Sequence, residues 1–385
     1  MKFRLTHILL LISTVLGLFL VFYNVQAKLL SQPAIGVRPF ACSAPNYPNS
    51  FVDPTGPDIQ DDPSTNGRYI AWMEGSNSNS GSGTLNIAFL DLGPDGELGT
   101  ADDGVKTLVG SNSSVNQMPR INENGELAWV AGQKHILHCT LPNCSPGQVN
   151  ILYTAAYGLV GKIFELDFSG DIIAFREKAP GYIPGFPGLQ FSELGVYDLV
   201  SNSPSIITLP GLYGTIDLKD DLFVYAYAQG PTDEADLYAY EVGSGTVTQI
   251  TDTPQQSEYL PAVDVASSFY FIAFNRDFDP AYAILQNNNV LVVVDMPDGP
   301  LITQVADLEV NSQGIMNILL RSFTTQGGDN VFLKRIFAAG STEIGVPSVP
   351  NIGYADSLPI LKNNHVFFPA YLVSDETKIA VSSCP

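Results

Sequence analysis

The sequence predicts an all-β fold, a seven-bladed β-propeller of four-stranded blades, and three observations carry that prediction. A turn-forming pair followed by an apolar pair, led in six of seven copies by a small or β-branched residue, recurs along the 385 residues. Between the copies lie short apolar runs bounded by Gly, Asn, Asp and Ser, the pattern of strands. Beyond residue 27 no stretch shows the 3.6-residue periodicity of an amphipathic helix.

The repeat opens with Asn66-Gly67 before Ala71-Trp72 and Asn124-Gly125 before Ala128-Trp129. It continues with Ser169-Gly170 before Ala174-Phe175 and Asp220-Asp221 before Val224-Tyr225. Ser267-Ser268 before Ala273-Phe274, Gln313-Gly314 before Ile318-Leu319 and Asn363-Asn364 before Phe367-Phe368 complete it. Successive copies lie 57, 46, 50, 49, 45 and 49 residues apart, the first interval widened by an acidic insertion at 93–104. Self-similarity at a fixed period of this size marks a repeat architecture. Each motif run, such as 222–228, is apolar on both alternating faces and therefore needs cover on both. One strand precedes each run (260–263, 358–361), a second follows it (86–92, 236–242), and a weaker third comes next (246–251, 301–306). Four-stranded sheets repeated radially make a propeller. Stacked solenoids, the competing arrangement, have shorter periods and need polar end caps.

Lys2 and Arg4 precede an apolar run of 16 residues (8–23), and Val25-Gln26-Ala27 puts small residues where a signal peptidase cuts. Residues 1–27 therefore read as a signal peptide. An uncleaved anchor is the alternative, although the run falls short of the roughly 20 residues of a spanning helix. Cleavage removes Lys2 and Arg4 and takes the formal charge from −21 to −23. The expected product is secreted or held in the cell envelope, with an N-terminal extension at 28–63 and the propeller at 64–385. In that oxidising compartment the four cysteines read as disulfides. The last blade supplies three strands and lacks its outermost one, and the apolar stretch 34–42 is free to pair beside it. A propeller that left this edge open would expose it, so Cys42 is expected to join Cys384 and close the ring. Cys139 and Cys144 are expected to staple the Leu141-Pro142-Asn143 turn.

The run Asp236-Leu237-Tyr238-Ala239-Tyr240-Glu241, continued by Thr246-Val247-Thr248-Gln249-Ile250-Thr251-Asp252, resembles the repeat of TolB-like β-propellers. In those repeats a strand ending in a polar turn leads to a Thr-Gln-Leu-Thr-like outer strand, and Pro261-Ala262-Val263 fits the opening of the following blade. The resemblance implies the propeller fold over 64–385. It implies little about function, because that family includes binding modules, periplasmic accessory proteins, lyases and peptidase propellers. In the peptidase relatives the chemistry lies in a separate α/β-hydrolase domain, expected to be absent from a chain that ends in its seventh blade.

Composition narrows the function classes. The chain is 45 % hydrophobic, which excludes wholesale disorder, and its 39 acidic against 18 basic residues exclude a nucleic-acid surface. Nucleophile-elbow, P-loop and zinc-protease motifs are missing. Beyond the signal segment the histidines are His135, His138 and His365. His135, His138, Cys139 and Cys144 have the chemistry of a zinc set, but alternation sends the two histidines to opposite faces of one strand, which favours the Cys139–Cys144 disulfide. The loop 91–104 places Asp91, Asp95 and Asp102 at positions 1, 5 and 12 with Gly96 at position 6, as in a calcium loop. Calcium is the cofactor expected there, and a solvated hairpin is the alternative.

Aromatic and charged residues on two insertions, Tyr182, Phe186 and Phe191 within 177–193 and Arg276, Asp277 and Tyr282 within 276–282, are the candidate ligand-binding set. Both insertions join the second and third strands of a blade, so they are expected on one face. The reading is an exported binding or scaffolding propeller that recognises a protein or carbohydrate and touches no membrane after cleavage. A polysaccharide lyase or hydrolase with a site in the central channel is the alternative. It needs several acids, His or Arg converging on the innermost strands, and stretches such as 119–121 and 260–263 read as mostly apolar or singly charged.

Overall fold

The computed structural model describes residues 42–43, 49–57, 59–75, 84–109, 115–145, 147–157, 161–182, 190–207, 212–228, 233–277, 279–296, 302–323, 329–337, 340–345, 358–372 and 376–384. The residues of the expected signal peptide, 1–27, lie outside them, as does Phe186.

All regular structure among the described residues is β, in 27 strands. They fall into seven successive groups, numbered here blades 1 to 7: six of four antiparallel strands and a last one of three. The innermost strands are Ile59–Thr65, Asn116–Ile121, Ile163–Ser169, Leu212–Lys219, Glu258–Ala266, Ile302–Val310 and Ile360–Lys362. Blade 1 thus begins at Ile59, ahead of the boundary at 64 drawn from sequence.

The seven motif turns are the hairpins between first and second strands. Gly67, Gly125, Gly170, Asp220, Ser267, Gly314, Asn363 and Asn364 all hold positive φ there, between 50° and 96°. Tight hairpins demand that backbone, and Gly, Asn and Asp tolerate it best. The following pair then points into opposite junctions. Ala71 packs toward blade 2 while Trp72 packs toward blade 7, and Ala128 and Trp129 divide in the same way. A small residue on one face and an aromatic on the other let each sheet sit closely on two neighbours. Seven apolar clusters result, one at each junction of the ring.

Proline shapes the channel wall. Asp62, Met118 and Leu260 each precede a proline and each hold φ between 52° and 57°. At all three the pairing with the second strand skips two residues, a β-bulge. Proline offers no amide to the ladder, so a bulge is where it is tolerated. The bulge frees neighbouring amides, and their acceptors form the candidate site below.

The ring closes on the third strand of blade 7, Glu376–Ser383. Cys42 and Cys384 are bonded, with Cα atoms 4.2 Å apart. The Ser43 amide donates to Ser383 O at 2.8 Å, the Val381 amide to Ser50 O at 2.8 Å and the Val52 amide to Ile379 O at 3.0 Å. Phe51 pairs antiparallel with Ala380. The described closing contacts therefore come from Cys42, Ser43 and residues 50–52; of the stretch 34–42 expected from sequence, only Cys42 is among the described residues. Cys139 and Cys144 are also bonded, Cα atoms 5.4 Å apart.

Candidate functional site: the braced central channel

The inner strands surround a cavity of about 800 Å³. Its wall is far more charged than the sequence reading of 119–121 and 260–263 implied. Asp62, Arg120, Glu165, Asp167, Asp217, Lys219, Asp264, Asp307 and Glu309 all face it. Each strand brings only one to three charges, and the ring gathers them.

Most of these acids are engaged by the backbone of the next blade. Glu165 accepts the Ile216 amide at 2.9 Å and Asp167 the Leu218 amide at 2.6 Å. Thr215 accepts the Leu260 amide at 2.8 Å, and Asp217 accepts that of Val263. Asp264 accepts the Val310 amide at 2.7 Å. Asp307 accepts the Leu361 amide at 2.6 Å and Glu309 the Asn363 amide at 2.9 Å. Between blades 1 and 2 the acceptor is Ser64, 2.9 Å from the Ile121 amide. Arg120 then links onward: its guanidinium lies 3.0 Å from Asp62 and feels Asp167 and Glu165. A carboxylate that accepts a buried amide removes the cost of an unpaired donor, so this wall braces the ring.

Electrostatics follow from crowding. Burial pushes the Asp217 carboxyl well above the usual range, and Asp167 beside it adds to the shift. Two acids that close do not both ionise readily. Burial also pushes Asp307 up to about 7, against the amides of Leu361 and Leu308. Burial works against ionisation of Glu123 as well, yet the Gly170 amide and the Lys219 ammonium bring it down to about 2. Lys219 lies 3.8 Å from Asp264 and ties blades 2, 4 and 5 together at that end of the channel. Toward the opposite end the Arg176 guanidinium sits 4.2 Å over the Phe164 ring and 2.8 Å from Glu165.

The other candidate residues sit elsewhere. The segment 177–193 is largely a long hairpin: strands Ile172–Tyr182 and Gln190–Asp198 pair as far as Tyr182 with Gln190. Tyr182 and Phe191 are on those strands. Within it Glu177 is buried and accepts from the Tyr153 hydroxyl at 3.0 Å, and Tyr157 bonds Glu193 at 2.7 and 2.8 Å. In blade 5 the loop contracts to a tight hairpin between Phe269–Arg276 and Asp279–Gln286. Arg276 is not an open cation: its guanidinium holds Glu258 at 2.9 Å and bonds Asp295. Asp277 accepts the Ser257 amide at 3.0 Å. Tyr282 lies mid-strand and packs in the cluster between blades 5 and 6, because alternation points it at the neighbouring sheet. The premise that all three are displayed on a loop is therefore corrected for Arg276 and Tyr282, which lie on strands; Asp277 alone sits at the hairpin turn. Both hairpins do join second and third strands.

The calcium expectation gains no support from the geometry of the loop. Among the described residues no three His, Cys, Asp or Glu side chains are placed to hold a metal ion. Asp91 is held by Arg68 at 3.2 Å and the Gly93 amide at 3.0 Å, Asp95 by the Glu97 amide at 3.0 Å, and Asp102 by Thr100 at 2.6 Å. The acids close local turns instead of converging. The same hairpin reaches blade 7, where Glu97 lies 3.1 Å from His365. His135 bonds Thr154 at 2.9 Å, and His138 lies buried 3.4 Å from Glu126.

No family model and no curated sequence matches the chain. Solved structures do. An oligogalacturonate lyase from Vibrio parahaemolyticus is 12 % identical with a TM-score of 0.58, over 90 % of this chain and 97 % of that one. An oligogalacturonate lyase in complex with manganese gives 0.57 at 12 % identity, over 83 % and 86 %. The β-propeller domain of the trilobed protease from Pyrococcus furiosus, described as having an open velcro topology, gives 0.53 at 12 %, over 84 % and 92 %. Likenesses at this identity establish the architecture. The fold is a β-propeller.

The acids of the wall escaped the sequence reading, though one signal was present. Asp167, Asp217 and Asp264 each stand three residues before the motif turn, at Gly170, Asp220 and Ser267.

Proposed function

We propose that the chain is an exported, TolB-like binding and scaffolding propeller that takes a protein or carbohydrate partner at one mouth of its channel. The observation that carries this reading is the Phe164–Arg176 pair. A half-buried aromatic and a cation held by Glu165 line the channel together with Gln117 and Gln304, over a wall whose acids are already engaged. A rigid frame presenting a ring face and a few polar groups suits recognition. The blade 3 hairpin that carries Tyr182 leads to the same face, as a connection between second and third strands. Glycan-array and partner-capture binding of the purified mature protein tests the reading. Phe164→Ala is expected to abolish the signal while leaving the melting temperature within a few degrees, and retention of full binding by that variant contradicts it.

A second reading, a polysaccharide lyase or hydrolase acting in the channel, takes support from one feature: Asp217, with its raised carboxyl beside Asp167 and near the Arg120 wall, has the character of a proton donor. Turnover of a polysaccharide panel that is lost in Asp217→Asn, with the fold retained, is the result that would favour it.

A further inference from the structure

The outer strand of blade 5, Asn289–Asp295, ends its sheet. It pairs with Asp279–Gln286 on one side, and no described strand pairs with its other side. Residues 290–294 are five consecutive apolar positions with neither charge nor proline. Leu291 and Val292 are 48 % and 37 % exposed. Three other outer strands are guarded by brevity or proline: Thr107–Val109 has three residues, Thr246–Gln249 has four, and Ser203–Ile207 carries Pro204. Asn150–Thr154 and Gly340–Gly345 have no proline, but polar residues interrupt both, so neither offers five apolar positions in a row. Val290 and Val293 pack back on the core, but Leu291 and Val292 stay open in a run with no charge or proline to guard it, a fault in a sheet edge unless it has a use.

The register shows what the edge offers. The Met296 amide donates to Pro280 O at 2.8 Å, and Asp295, Val294 and Val293 face Ala281, Tyr282 and Ala283. Antiparallel ladders alternate inward and outward groups. The amides and carbonyls of Val293 and Asp295 therefore point away from the sheet, ready for a further strand.

Charge decides the occupant. At −21 a second copy is repelled, and one end of the strand is flanked by exposed Asp279 and by Asp295, which shares the Arg276 guanidinium with Glu258 and stays largely exposed. We infer that this edge takes an extended segment of another protein, apolar at alternate positions and ending in Lys or Arg, as a fifth strand of blade 5. The site lies on the rim, so it stands or falls apart from the channel mouth.

Fluorescence anisotropy tests the inference with a seven-residue peptide of alternating Val and Thr between terminal Lys residues. Two controls accompany it: the same peptide with terminal Glu, and one N-methylated at alternate positions. The Lys peptide is expected to bind, and both controls to bind about tenfold more weakly or worse, the loss expected for one or two hydrogen bonds or charge contacts. Val293→Pro removes the outward amide and spares the inward ladder, so it is expected to weaken binding about tenfold as well. Phe164→Ala is expected to leave binding unchanged. Equal binding of all three peptides overturns the proposal, as does unchanged binding by Val293→Pro. So do concentration-dependent dimers of the wild type that Val293→Pro abolishes, which would assign the edge to a second copy. Should Val293→Pro fail to fold, the N-methylated peptide on the wild type still decides.

Discussion

Between blades 4 and 5 the ring is held by Thr215 and Asp217, which accept the Leu260 and Val263 amides, and by an apolar cluster that includes Val224 and Phe274. Between blades 7 and 1 the inner strand of blade 1 meets the third strand of blade 7 instead: Ile59 pairs in parallel with Thr377, and Gln60 accepts the Ile379 amide at 3.3 Å. There Ser43 and residues 50–52 bond to Glu376–Ser383, and Cys42 is tied to Cys384. Polar side chains lock what remains. The Lys106 ammonium holds Asp53 at 2.6 Å and Glu74 at 3.4 Å, and Lys378 donates to Gly56 O at 2.8 Å. Consecutive blades arrive already tethered by a short link, so an acid and an amide suffice to set their register. The closing junction joins segments 342 residues apart and must offset a far larger chain entropy.

The largest expected effect breaks the closing junction. Cys42→Ser is expected to cost up to about 5 kcal/mol in denaturant unfolding, the chain-entropy ceiling for so long a loop. Cys139→Ser opens a loop of only five residues and is expected to cost about 2 kcal/mol. Equal losses would remove the distinction between closing and local bridges.

An ordinary junction should yield less. Asp264→Ala leaves the Val310 amide without its acceptor and Lys219 without one of its acids, which predicts a loss of about 1–3 kcal/mol. Asp264→Asn keeps an acceptor oxygen and should lose less, and the same unfolding titrations read the difference.

The braces also set a pH dependence. Asp307 keeps its proton up to about 7 in the folded chain, whereas an unfolded aspartate releases it near 4. Between those values the folded state binds the extra proton, so stability should fall as pH rises through the window. Asp217 acts in the same direction. Glu123, held to about 2, acts oppositely: its stabilisation is present above about 4.3 and is lost as pH falls toward 2. Melting temperature should therefore peak in mild acid, and Asp307→Asn should flatten the decline toward pH 7.

The smallest effect concerns the hairpin at the closing junction. With its acids engaged in local turns, millimolar calcium or a chelator should leave the melting temperature unchanged. A rise with calcium that Asp95→Ala with Asp102→Ala abolishes would restore the cation site.

The legible and illegible parts of the sequence divide along the same line. Turn pairs and the small–aromatic motif act within one hairpin, so the period announced the blades. The Cys42–Cys384 closure was legible because an incomplete last blade and an even cysteine count demand a partner. The braces were not, because Asp167, Asp217 and Asp264 act across blades on amides some fifty residues away, and each strand alone looks sparsely charged. Tyr282 misled for the opposite reason. Its segment looked like a loop, and the strand's alternation turned the ring into the core.

Amide hydrogen exchange at Leu218, Val263, Val310 and Leu361 tests the bracing most directly. In Asp217→Ala the Val263 amide should lose protection while Leu218 and Leu361 keep theirs, and Asp264→Ala and Asp307→Ala should each expose only the amide one blade onward, at Val310 and Leu361. Protection that stays unchanged at the next blade, or falls evenly around the ring, would contradict the account.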